Sequence, residues 1–205
     1  MNIKLFFTII CLFQGIFMLG QKPGRSTEKK LDSTVNVVAI SAKAIYALPL
    51  NSSYVKDGLE LKVGGELSYN IYMFDHYLIC AGYNWFKGEV IDKQVTGNYD
   101  RTNVSVLFFR TGYRLFPVED LELLFSFGIG TLRYMNRIDD LDAYDSGFSY
   151  WVGPQLTYTF VKGIAVTASV DFRRDKLNIQ VPRNFDARYN KIYYANLGMG
   201  ISFVF

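Results

Sequence analysis

At 205 residues the chain has a length that an all-β barrel fills as one domain. Half of its residues are hydrophobic, yet after position 20 no stretch approaches the ~18 continuous apolar residues of a membrane helix. The net charge of +3 is small and the basic residues are scattered, so there is no concentrated stripe to hold nucleic acid.

The first segment, Met1 to Gly20, places Lys4 ahead of an apolar core from Leu5 to Leu19 and then turns abruptly polar at Gln21. This is the pattern of a secretory signal peptide, with cleavage expected near Gly20. Its removal takes Cys11 with it and leaves Cys80 as the only cysteine, so no internal disulfide forms. Residues 21–34 (QKPGRSTEKKLDST) read as a polar periplasmic leader. The remainder, 35–205, is predicted to be one β-barrel.

Eight strands follow, each betrayed by a period of two. The first, about Val35 to Leu48, sets Val38, Ile40, Ala42, Tyr46 and Leu48 against Ser41 and Lys43. The second, Gly58 to Met73, is predicted to alternate without a break, placing Glu60, Lys62, Gly64 and Glu66 on one face and Leu59, Leu61, Val63 and Leu67 on the other. A tight turn at His76 leads to the third, about Tyr77 to Ile91. The fourth, about Arg101 to Phe116, opposes Leu107, Phe109 and Tyr113 to Arg110 and Arg114; its alternation blurs at Val104 and Val106, where a bulge is expected. The fifth, about Leu121 to Arg133, carries Glu122, Ser126 and Gly128 on its polar face, and a long acidic loop is expected over residues 134–146. The sixth and seventh, about Gly147 to Phe160 and Ile164 to Leu177, flank a turn at Lys162–Gly163, and the seventh places Asp171 and Arg173 together. The eighth, Lys191 to Phe205, alternates Tyr193, Leu197, Met199, Ile201, Phe203 and Phe205 with Asn196, Gly198, Gly200 and Ser202. Short connections follow strands two, four and six, and long ones follow the others, as in outer-membrane barrels.

Alternation alone does not say which face is inside. A soluble lipocalin-type barrel turns the apolar face inward. Strands of this length exceed the 9–11 residues that cross a membrane at a tilt. Glycines such as Gly82, Gly112, Gly128 and Gly200 crowd the polar face, and Tyr46, Tyr83, Trp85, Tyr158, Phe160 and Phe172 gather toward strand ends as interfacial girdles do. The polar face is therefore predicted to line the lumen and the apolar face to meet outer-membrane lipid.

On the terminal run Tyr193–Phe205 and on motifs such as GPQLTYTF followed at once by a new strand, the chain resembles the small eight-stranded outer-membrane barrels of the OmpA and OmpX type. The resemblance covers about Val35 to Phe205. It implies an antiparallel up-and-down transmembrane barrel in the cell outer membrane of a Gram-negative-type envelope. It also implies that the terminal aromatics act as the signal read by the barrel-assembly machinery. It transfers no catalytic residue, since function in such folds lies in grafted sites.

The predicted lumen set is Lys43, Glu60, Lys62, Glu66, Arg110, Arg114, Glu122, Asp171 and Arg173, nearly balanced in charge and expected to pair as a plug in a lumen that side chains can just fill. His76, the sole histidine, falls in a predicted periplasmic turn, away from any outer-rim catalytic base. The acidic run 139–147 fails the calcium-loop spacing because Tyr144 occupies the third ligand position. No catalytic, cofactor or metal residue is assigned. The function expected is a structural or interaction barrel working through its outer loops. The alternatives are a narrow pore or accessory barrel of a protein-export system and, more remotely, a soluble lipocalin-like binder.

Overall fold

The computed structural model describes residues 37–73, 76–139 and 141–205; the expected signal peptide and leader lie outside them. Alternating β-branched and aromatic residues, with no proline except at strand ends and at Pro154, give long strands with a right-handed twist. They are β1 (Val37–Pro49), β2 (Leu59–Leu61), β3 (Gly64–Met73), β4 (Tyr77–Val90), β5 (Arg101–Val118), β6 (Leu121–Ile138), β7 (Leu141–Val161), β8 (Ile164–Leu177) and β9 (Lys191–Val204). Short helices α1 (Tyr54–Gly58), α2 (Lys93–Thr96) and α3 (Asp186–Asn190) sit in the outer connections.

All pairings are antiparallel: β1 pairs with β3, β2 and β3 both pair with β4, β4 to β9 pair in sequence order, and β9 returns to β1 from Ala39 opposite Val204 to Pro49 opposite Tyr194. Since β2 and β3 form one interrupted stave, the barrel has eight staves and no free edge. Its faces are inverted relative to a soluble barrel. Phe109 and Met199 point outward, 64% and 73% exposed, while Phe108 beside Phe109 is wholly buried within the lumen. The outward apolar belt is a lipid-facing surface; the lipocalin-like arrangement, with apolar residues inside and polar ones out, is excluded.

Three sequence expectations need correction. First, β2 and β3 do not alternate continuously: Leu61 opposes Gly88 and Gly65 opposes Trp85, so residues 62–64 face only residues 86–87. That extra residue is a bulge, and a slip of one residue exchanges the faces of a strand. Leu59 therefore turns inward, whereas Glu60 and Lys62 lie on the outer rim. Second, no bulge occurs at Val104 and Val106. Both are buried in the lumen, and the β5–β6 register runs unbroken from Arg101 to Leu115; the shift lies at Leu115/Val118, beside the turn. Third, residues 134–146 are not a long loop. The strands β6 and β7 continue as a hairpin to Ile138 opposite Leu141, because inward Leu132, Tyr134 and Asn136 keep the alternation going.

Large and small residues interlock inside. Gly128 opposes Trp151, and a Cβ on Gly128 would lie 2.5 Å from Trp151 Cε2. Trp151 in turn meets Phe108 edge-on, with ring centroids 5.0 Å apart. A Gly128→Val substitution should overpack this layer and cost about 1–3 kcal/mol or more. Urea unfolding of the reconstituted barrel in a Trp85→Phe background, followed by the fluorescence of Trp151, checks it: a lower midpoint and a shifted emission maximum are expected.

Candidate functional site in a filled lumen

The inward faces of the staves stack charged and polar groups in three storeys. Near the short turns, Arg114 Nη2 and Nε donate to Glu122 Oε2 at 2.7 and 3.0 Å, and the guanidinium lies over the Tyr72 ring at 4.0 Å. At mid-height an alternating chain of charges crosses the lumen: Lys43 to Glu66 at 2.6 Å, Glu66 to Arg110 at 3.6 Å and Arg110 to Asp171 at 3.7 Å. Asn84 Nδ2 also donates to Glu66 (3.4 Å), and Lys43 Nζ to Gln155 Oε1 (3.3 Å). Arg110 sits over Phe108 and Trp151 at 5.3 and 5.7 Å from their ring centroids.

Above it, Arg173 grips Asp175 with a two-pronged fork, both contacts at 2.7 Å. Asp175 also accepts from the hydroxyls of Ser149 (2.5 Å) and Tyr134 (2.9 Å), and Tyr134 shares a 2.6 Å hydrogen bond with Tyr194. The planar guanidinium suits this bidentate, aromatic-flanked setting, with Phe86 and Tyr194 each 5.4 Å from its carbon.

Lys43, Glu66, Arg110, Arg114, Glu122, Asp171 and Arg173 thus lie in the lumen as their alternation predicts, while Glu60 and Lys62 pair outside it at 2.9 Å. Asp175, Ser149, Tyr134 and Tyr194 complete the network and are absent from the sequence-predicted set. The period of two from Asp171 through Arg173 reaches Asp175, so the carboxylate was accessible to the same rule. Tyr134 falls in the stretch 134–146 expected to be a loop, and Tyr194 shares the parity of Asn196 without being charged. With Asp175 in place of Glu60, and without Lys62, the cations Lys43, Arg110, Arg114 and Arg173 match the carboxylates Glu66, Glu122, Asp171 and Asp175 one for one.

The lumen is sealed at the outer end. Tyr54 and Val55 of α1, Leu59, Leu177 and Ile192 are buried over the network, and Val95 packs against them. Tyr54 stacks on Tyr189 (5.4 Å), whose hydroxyl donates to the Val95 carbonyl at 3.0 Å, so three outer connections meet above the axis. Beside Arg110, Trp151, Asp171 and Asn196 there remains a void of about 10 Å³, room for about one water. Trp151 Nε1, Asp171 Oδ1 and Asn196 Oδ1 have no protein partner and are suited to such a water.

Three outer carboxylates are held by neighbouring side chains. Lys93 donates to Asp100 and holds its carboxyl below the usual range; Arg137 does the same for Asp142, and Asn190 with Lys191 for Asp186. Among the described residues no three metal-ligating side chains converge. His76 is exposed beside the short turns, stacked on Tyr113 at 5.5 Å.

Glu66→Gln should lower stability by about 3–5 kcal/mol, because Lys43 and Arg110 would both lose a buried counter-charge. A shift in the urea midpoint no larger than that of Lys162→Gln, at an exposed turn, would show that the mid-lumen chain is not stabilising as a unit.

No protein-family description matches the sequence, and no curated protein matches it. Solved structures do. The chain is similar to Neisserial surface protein A (TM-score 0.59, 12% identity, 82% of this chain and 96% of that one). It is similar to a major outer membrane protein from Thermus thermophilus (0.54, 10%, 84% and 100%). A third match is the outer membrane protein AlkL in lipid bilayers (0.52, 12%, 90% and 97%). At such identities the likeness carries the fold, and the exposed apolar belt is a surface suited to lipid. The chain is an eight-stranded antiparallel β-barrel with the fold that these small outer-membrane barrels share.

Proposed function

We propose that the protein is a sealed outer-membrane barrel that acts through its outer surface and conducts nothing along its axis. The observation that carries this reading is the lumen itself. Its charges are paired in three storeys, its outer end is capped by apolar side chains, and its mid-height void is water-sized. A narrow pore would need a continuous wetted path, and the cap of Tyr54, Val55 and Leu59 interrupts one. The lone histidine at the opposite end supports a non-enzymatic role.

The outer connections are the remaining surface for contact. Arg188 reaches Asp57 across two of them at 3.1 Å, Lys93 reaches Asp100 at 2.9 Å and Arg137 reaches Asp142 at 2.7 Å. With these cations already paired, the surface is a poor match for a polyanion, although Ail of Yersinia pestis, which shares the fold at TM-score 0.52 and 12% identity, was solved with the heparin analogue sucrose octasulfate. Exposed Leu141 and Phe185 suit a protein partner better.

In this reading residues 1–20 direct secretion, and the strand ending at Phe205 engages the barrel-assembly machinery. Phe205 donates its backbone N–H to the Val38 carbonyl at 2.8 Å, next to the closing seam. Deleting Phe205 should reduce the heat-modifiable, membrane-assembled fraction while leaving export across the inner membrane intact; unchanged assembly would count against that role. In planar bilayers the intact protein should show no steady conductance, and stable channels of porin size would refute the sealed reading.

A further inference from the structure

The outward face of β4–β7 carries a groove that the sealed lumen and the outer connections do not explain. Along β4 the outward residues run Tyr77, Ile79, Ala81, Tyr83 and Trp85, then Lys87 and Glu89. Along β5 they run Phe109 and Leu107, then Ser105 and Asn103; along β6, Phe127 and Ile129, then Thr131 and Arg133. The register aligns these changes, since Trp85, Ser105, Arg133 and Ser146 form one cross-strand row. Arg133 lies ten residues beyond Leu123, about 25 Å along the axis of a tilted barrel, where the apolar band gives way to headgroups.

At that boundary the surface is hollow. Ser105 forms a low floor between taller walls: Tyr83 and Trp85 on one side, Tyr144 on the other. The groove measures about 770 Å³. A second hollow of about 470 Å³ shares Tyr83, Ser105 and Arg133 and runs toward Leu107 and Phe148. Trp85 stacks on Tyr83 at 5.8 Å and lies flat over Gly65, where a Cβ would come within 2.5 Å of its ring. The polar end holds Arg133 and also Lys87, whose ammonium lies 3.3 Å from the Glu89 carboxylate on the same strand. Arg133 lies over the Tyr144 ring at 5.5 Å, and no carboxylate pairs with it among the described residues.

One end of the groove is cationic, the other apolar, and the two meet at the interface level. We propose that it binds a single membrane lipid with an anionic, phosphate-bearing headgroup, the phosphate at Arg133 and Lys87 and an acyl chain along Tyr83, Leu107 and Phe148. A guanidinium offers a phosphate two parallel donors, and its open coordination is what a lipid headgroup would complete. This site faces lipid, so it stands or falls separately from what the outer connections contact.

The test uses the full chain in detergent micelles, with bound lipid counted by native mass spectrometry. Diphosphorylated lipid A should be retained in preference to phosphatidylcholine, and inorganic phosphate in large excess should not displace it. Lys87→Gln with Arg133→Gln should weaken lipid A retention by about tenfold or more, as two cations near an anionic surface warrant. Ser105→Trp, which fills the floor while keeping both cations, should weaken it as well, and Lys162→Gln at a distant turn should not. Heat-modifiable mobility confirms that each variant is folded. Equal retention of the two lipids by the wild-type protein would overturn the proposal without any variant. So would displacement by inorganic phosphate, or unchanged retention in the folded double variant.

Discussion

The antiparallel seam between β1 and β9 is the constraint on which the rest of the structure depends. In hydrocarbon an unpaired backbone N–H or C=O costs several kcal/mol, so a sheet can live there only if it has no edge. The seam runs for eleven consecutive residue pairs, from Ala39–Val204 to Pro49–Tyr194. Once it closes, the period of two divides every stave into a lipid face and a lumen face, with no third environment. The lumen of eight staves is narrow enough that side chains must fill it. That is why Trp151 needs a glycine opposite, and why Phe108 and Trp151 can share one layer.

Filling such a lumen with charge is costly unless every ion finds a partner. Four cations and four carboxylates do so here, distributed over the height of the barrel rather than gathered at one point. Aromatic rings add to the arginines what carboxylates alone would not: Arg110 against Phe108 and Trp151, Arg173 against Phe86 and Tyr194, Arg114 against Tyr72. By area a purely apolar filling is no worse a choice, since buried ion pairs often break even against hydrophobic replacements. What a polar filling offers is one register, because a one-residue slip would drive Lys43 or Asp171 into lipid.

Fold and lumen were legible in the sequence to the extent that local alternation governs them. Asp171 and Arg173, two apart among outward Val170, Phe172 and Arg174, announce their face without any tertiary knowledge. The misreadings share one cause, which is that local periodicity does not register events in the partner strand. The alternation of residues 58–73 looks flawless, yet the pairing with β4 gains a residue at 62–64 and carries Glu60 and Lys62 out of the lumen. Val104 and Val106 looked like a disturbance because the upper lumen was assumed to be polar. It is apolar there because α1 and the neighbouring connections fold over it. The acidity of residues 139–147 suggested a loop, whereas Asp142 is answered by Arg137 and Asp145 by Asn136 across a hairpin. The lateral groove was hidden for a similar reason. It is made by residues on four strands that only the register brings into one row.

These features assign the protein's surfaces different chemistry. Inside, the charged groups pair with one another over the height of the barrel. At the outer end Arg188, Lys93, Arg137 and Lys191 are likewise answered, by Asp57, Asp100, Asp142 and Asp186, and Leu141 and Phe185 stand exposed beside them. Arg133 differs from both sets. It stands at the boundary of the apolar belt, where a protein carboxylate would itself have to be held at the edge of lipid. An ion in that position is most easily neutralised by the medium around it, and the anions the medium offers at that depth are headgroup phosphates. The same rule that pairs charges in the lumen therefore points, at the rim, to a partner that is part of the membrane.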